Sequence, residues 1–159
     1  MLIGTTTNNI SRDKAEQELR FQGVNLEGAD LSRLDLRHVN FKYANLRGAN
    51  MTGANLSWSL LERADMSHCH LENAQLLGVK MNCANLEGAN LKGSNFEDPA
   101  GSRANLEGVN LKGANLEGSI MAGSKLNNLD KTIFNLIKFF QSRYKSPSGN
   151  FEECEHEEL

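Results

Sequence analysis

His68, Cys69 and His70 fall in one short run, Ser67 to His70, and imidazole and thiolate are the donors that tetrahedral zinc sites use. Cys83 and Cys154 are the other thiols, and "ECEHEE" near the C-terminus adds carboxylates and a further histidine. Ligands must converge on one point. In a chain that alternates inward and outward, Cys69 faces one side and its two histidine neighbours the other, so the run reads as surface histidines beside a core cysteine. The "ECEHEE" spacing matches no diagnostic ligand pattern. Cys83 reads as an outward free thiol whose neighbours do not activate it. No phosphate-cradling glycine loop and no nucleophile elbow occurs, and no nucleophile, base and orienting group can be assembled. The expectation is therefore no catalytic residue, no cofactor and no metal, in a chain that is not an enzyme.

That alternation comes from an internal repeat. Leu, Phe or Met recurs every fifth residue from Phe21 to Leu126, at 21 of 22 positions, the one miss being Gly101. A small side chain stands two residues before each, mostly Ala. Asn or Asp stands just before it, as at Asn25, Asp30 and Asn45, and Gly is common two residues after. A period of five suits neither a helix nor a flat strand. It suits a chain that takes a short extended step, turns a corner and steps again. The apolar pair of each unit then points inward, the Asn or Asp bonds nearby backbone, and glycine relieves the turn. One unit cannot bury its own pair, whereas stacked coils can. The pattern predicts a β-solenoid.

"ANLRGANMTGANL" resembles the signature of pentapeptide-repeat proteins. The resemblance implies an all-β fold, a right-handed quadrilateral parallel β-helix with four units to a coil, over residues 19–128. At the usual strand spacing that is about five and a half coils and roughly 26 Å of stack. On a coil of 20 residues, "PAGSR" replaces one unit and Gly101 lies between Met81 and Met121, whose flexible side chains would fill the gap. "DPAGSR" is expected to form a small outward loop, because proline cannot donate to the ladder.

Short helices are expected at both ends. Residues 1–18 form a polar segment in which "SRDKAEQEL" is a capping helix begun by Ser11. Over 129–145, Leu129, Ile133, Leu136, Ile137, Phe140 and Tyr144 follow helical spacing behind Asp130. A cap on the last coil is the preferred role there, and a partner-binding or membrane-surface helix the competing one. Residues 146–159 read as a disordered acidic tail.

The chain has 159 residues and a net charge of −3, with no secretory signal and no stretch long enough to span a bilayer, so a cytoplasmic or nuclear setting is expected. The repeat block carries eleven basic and eleven acidic residues. A DNA-binding groove needs a basic excess and a DNA mimic an acidic one, so no nucleic acid is expected as partner. Outward positions are mostly polar or glycine, and the large apolar exceptions are Ile120, in the last coil where a terminal segment could cover it, and the group Trp58, Leu60 and Leu77, with Tyr43, Arg63 and Lys80 near them in the square register. Aromatics with arginine commonly anchor interfaces, which makes these six the candidate partner-binding residues; tolerated exposure or cover by a terminal segment competes with that reading.

"RFQGVNLEGADLSRLDL" and "NFEDPAGSRANLEGVNLKG" further resemble the C-terminal pentapeptide region of KCTD proteins, which place a BTB domain before a recognition region and serve cullin ubiquitin ligases as substrate adaptors. The resemblance implies a non-catalytic protein-interaction module; cullin binding is not expected without a BTB domain. The alternative is a DNA-mimicking pentapeptide-repeat inhibitor of a type II topoisomerase.

Overall fold

The structure is a computed structural model that describes residues 21–131 together with 133 and 137. The expected N-terminal capping helix, most of the expected C-terminal helix and the acidic tail lie outside the described residues.

Up to Leu91 every pentapeptide makes the same move, and the units after the loop at Leu106, Leu111, Leu116 and Met121 repeat it. The backbone N–H three residues past the central residue returns to that residue's carbonyl, as Val24 does to Phe21 (3.2 Å) and Ala49 to Leu46 (2.9 Å), closing a tight corner. The third residue of that corner holds a positive φ, +64° at Gly48 and +58° at Gly78, a conformation glycine reaches without a Cβ clash. The side chain of the Asn or Asp before the central residue locks the corner from outside. Asn50 Oδ1 accepts the Thr52 N–H at 3.1 Å, and Asn85 Oδ1 accepts the Glu87 N–H at 3.1 Å. This local bond is the physical reason for the repeated Asn.

Four such units return the chain to its starting side. Asn45 pairs in parallel with Asp65, and Asp65 with Asn85. The Leu46 N–H reaches the Asp65 carbonyl at 2.7 Å, and the Asp65 N–H reaches the Ala44 carbonyl at 2.9 Å. Each face is thus a ladder of single parallel bridges rather than a set of long strands. Counting from Phe21, the first face stacks Phe21, Phe41, Leu61, Met81, Leu106 and Leu126, and the second stacks Leu26, Leu46, Met66, Leu86 and Leu111. The third runs Leu31, Met51, Leu71, Leu91, Leu116, and the fourth Leu36, Leu56, Leu76, Phe96, Met121. Leu46, Met66 and Leu86 are fully buried, as are most of the inward alanines. At about 1.5–3 kcal/mol for each large aliphatic side chain removed from water, these columns supply the main favourable term of the fold.

The interruption works differently from the sequence expectation. Lys80 pairs with Asn105, Asn85 with Asn110 and Asn95 with Ile120, offsets of 25 residues, before Asn105 and Lys125 return to 20. The unit "PAGSR" is therefore an insertion expelled from the coil, not a replacement within it. Leu106 sits over Met81 on the first face instead of over Leu86, and Met121 sits over Phe96. Gly101 is exposed and does not lie between Met81 and Met121. An inward unit centred on glycine would leave an unfilled gap in the core, whereas an expelled one leaves the apolar column continuous. The loop is outward, as expected: the Gly101 N–H bonds to the Asp98 carbonyl at 2.8 Å, and Asp98 Oδ1 accepts the Ala100 N–H at 2.9 Å.

At the C-terminal end, Lys131, Ile133 and Ile137 are helical. Asp130 Oδ1 accepts the Ile133 N–H at 3.4 Å in the capping position expected of it. Leu129 and Ile137 are buried in the core cluster and Ile133 packs against it. No helix among the described residues is long and apolar enough to cross a membrane.

Candidate functional site

The corner joining the fourth face to the first departs from the repeat in three adjacent columns. In the corner column, His38 and Trp58 occupy the positive-φ position, at +62° and +57°, where Gly78 follows one coil later. Their rings stack at 5.4 Å with planes 10° apart. The indole also leans over the next corner: a Cβ on Gly78 would stand 2.6 Å from Trp58 Cδ1 and 3.2 Å from Ser102 Cβ. Gly78 is thus required twice, by its φ and by the ring above it. Ser102 belongs to the expelled loop, which leaves the prism between Phe96 and Leu106, at this same corner.

The second column runs Asn40, Leu60, Lys80, bridged coil to coil. Inward Ser59 is fully buried between Trp58 and Leu60, and the Trp58 N–H bonds to the Leu77 carbonyl at 2.8 Å, which places Leu77 on the adjoining coil. The third column, at the far edge of the first face, runs Tyr43, Arg63, Cys83, all at φ between +56° and +60°. Tyr43 is 58% and Trp58 37% exposed; Leu60 and Leu77 are half-buried; Arg63 and Lys80 are exposed. The structure therefore brings Trp58, Leu60, Leu77 and Lys80 together at one corner and sets Arg63 and Tyr43 across the same face.

His38 was not singled out from sequence, nor was the approach of the loop to Trp58. The signal for His38 was its place in the corner column with Trp58. The loop itself was expected, but its expulsion as an extra unit was missed because a fixed coil of 20 residues put Gly101 in the core.

Between these columns the acids are already engaged. Glu62 lies 3.5 Å from Lys42, and Glu107 accepts from Lys125 at 2.8 Å and from Asn128 at 3.2 Å. The Lys125 hydrogen bond and charge hold the Glu107 carboxyl below its ordinary pKa. Asp35 is likewise held low by the side-chain hydrogen bonds from Arg37, made at 2.8 and 2.6 Å.

Cys69 is fully buried while His68 and His70 are exposed, so the three donors diverge as expected. Burial pushes the Cys69 thiol up to about 12, which keeps it protonated and inert. Cys83 is exposed. Its Sγ would lie 3.4 Å from a Cβ on Gly108, one coil on.

The profile of the family described as pentapeptide repeats matches residues 20–57, 59–98 and 102–130, in eight copies. The chain belongs to this family, and the matched segments break near the loop. Among solved structures, a pentapeptide repeat protein of the Arabidopsis thaliana thylakoid lumen is 27% identical, over 80% of this chain and 81% of that one, with a TM-score of 0.55. The pentapeptide repeat protein Rfr23 of the cyanobacterium Cyanothece 51142 is 29% identical over 76% and 98%, with a TM-score of 0.43. QnrB1, a plasmid-mediated fluoroquinolone resistance protein, is 21% identical over 75% and 58%, with a TM-score of 0.47. The fold shared with the Arabidopsis thaliana protein is the right-handed β-helix of the family. No curated protein sequence matches the chain.

Proposed function

We propose that the chain is a non-catalytic protein-interaction module that engages its partner through the Trp58 corner, and that it acts as the recognition region of a KCTD-type cullin ubiquitin-ligase adaptor. One observation carries the interaction reading. Outward positions that elsewhere hold mostly Asn, Gly or other polar residues hold Trp58, Leu60, Leu77, Tyr43, Arg63 and Lys80 on one side of the prism, several at a backbone conformation costly for their type. The adaptor part rests on the phrases "RFQGVNLEGADLSRLDL" and "NFEDPAGSRANLEGVNLKG". The corner offers no grouping of nucleophile, base and orienting residue, and the balanced charge of the repeat block disfavours the topoisomerase-inhibitor alternative.

The test compares quantitative affinity capture from cells by the natural chain and by Trp58→Ala/Leu60→Ala. The double variant is expected to lose at least ten-fold of its specific partners while its circular dichroism stays unchanged. Equal capture by both proteins removes the corner from consideration. For the adaptor reading, excess chain should lower the ubiquitin load on captured partners, and the double variant should not. Potent, salt-sensitive inhibition of a type II topoisomerase would favour the alternative.

A further inference from the structure

We propose that the corner receives an extended acidic segment of a partner protein, with one large apolar side chain seated on Trp58, Leu60 and Leu77 and carboxylates meeting Lys80 and Arg63. This rests on the interaction reading and assigns the chemistry of its partner.

The charge of the repeat block is balanced in total, and at this corner the Asp98 carboxylate is taken up by the Ala100 and Ser102 N–H groups of its own loop. On the first face, Lys42 is drawn to Glu62 at 3.5 Å and Lys125 to Glu107 at 2.8 Å. Just before the corner, Arg37 is held by Asp35 at 2.6 Å. Arg63 and Lys80 are exposed, on adjoining coils of the same face, and make no ion pair among the described residues. Two positive charges without an ion pair among the described residues thus border the apolar corner.

Lys80 follows Leu60 directly in its column, one coil step of about 4.8 Å away, and Arg63 lies three residues past Leu60 on the same coil. A segment that seats an apolar side chain beside Leu60 brings its flanking residues to both cations. There, partial exclusion of water strengthens attraction to carboxylates and raises the cost of placing a lysine or arginine instead. An extended segment suits the site because the surface is a corner between narrow ladders of single bridges, with Ser102 of the loop standing beside Gly78. A nucleic-acid strand would call for a longer run of cations than these two.

The experiment selects a phage-displayed random peptide library on the full chain, at 50 mM and at 300 mM salt. Enriched peptides are expected to be net acidic around one aromatic or leucine residue. A synthetic copy should alter the fluorescence of Trp58, the only tryptophan in the chain. Its affinity should fall at least ten-fold on Arg63→Glu/Lys80→Glu, and should return when the peptide's acidic residues are changed to lysine. Higher salt should weaken it in the natural pairing.

Neutral or basic winners, binding indifferent to the charge reversal, or no enrichment would each overturn the proposal. If neutral peptides bind and Trp58→Ala/Leu60→Ala abolishes them, the interaction reading stands and only the acidic assignment fails. A synthetic peptide of residues 151–159, which holds five glutamates, is the control for self-docking. If it displaces the selected peptides at equal concentration, the occupant is the chain itself and the partner assignment falls.

Discussion

The second face and the corner before the first face are built from the same five-residue instruction and treat it in opposite ways. On the second face the positive-φ position is Gly28, Gly48, Gly88 and Gly113, with His68 the single exception, and a Cβ on Gly28 or Gly48 would meet open space. Its outward side chains cross-link coils: Asn45 donates to Asn25 at 3.1 Å and Asn110 to Asn85 at 2.9 Å. At the corner and the far edge of the first face, the same position holds His38, Trp58, Tyr43, Arg63 and Cys83. A non-glycine residue at positive φ costs on the order of 1 kcal/mol or more, and neighbours must hold it there. The second face is thus arranged for stability. The corner gives up some of that to display large side chains, and the difference between them is the strongest pointer to use.

Glycine replacement separates the two regions most sharply. Gly48→Ala meets only the φ penalty and should lower unfolding stability by about 1 kcal/mol in a urea titration. Gly78→Ala must in addition displace the Trp58 indole from a ring stack backed by Ser102, and should cost about 2–3 kcal/mol with a shift in tryptophan emission. Equal costs with unchanged emission would show that the indole does not rest on Gly78.

A smaller effect of opposite sign is expected at Arg63. Arg63→Gly relieves a positive φ at an exposed corner and should raise stability by roughly 0.5–1 kcal/mol. The same change should weaken partner capture. A variant that is less stable yet binds normally would reverse the assignment of Arg63 from display to structure.

Only a small change in stability is expected for the largest change in sequence. Removing Pro99 to Arg103 joins Asp98 to Ala104 and turns the 25-residue coil into one of 20. Because the loop lies outside the core columns, thermal stability should shift by no more than about 1 kcal/mol. Collapse of cooperative unfolding would mean that the loop supports the coil rather than projecting from it.

Much of this architecture could be read before any coordinates. The apolar column, the alternation that separates Cys69 from His68 and His70, the corner role of Asn50 and its equivalents, and the capping of Ile133 by Asp130 all follow from bonds within a few residues. The fate of "PAGSR" did not. Replacement and expulsion keep the same remainder modulo five, so no count along the chain can tell them apart. Only the pairing of Lys80 with Asn105 does. The six candidate residues were legible as exceptions to the pattern, yet their contacts were not. The stack of His38 on Trp58 and the approach of Ser102 depend on which corner each coil presents to the next.

Composition and period alone were enough to call for a solenoid of stacked coils with a dry interior, because a unit of five with one apolar pair can hide that pair in no other way than against its own copies. The four sides were implied by the resemblance to pentapeptide-repeat proteins and are shown by the 20-residue pairing offsets. Which residues stand over one another beyond Phe96, and hence what surface the molecule offers, was settled by packing across coils. Filling the core without a gap favours ejecting one glycine-centred unit, and that preference is a property of the assembled prism rather than of any segment within it.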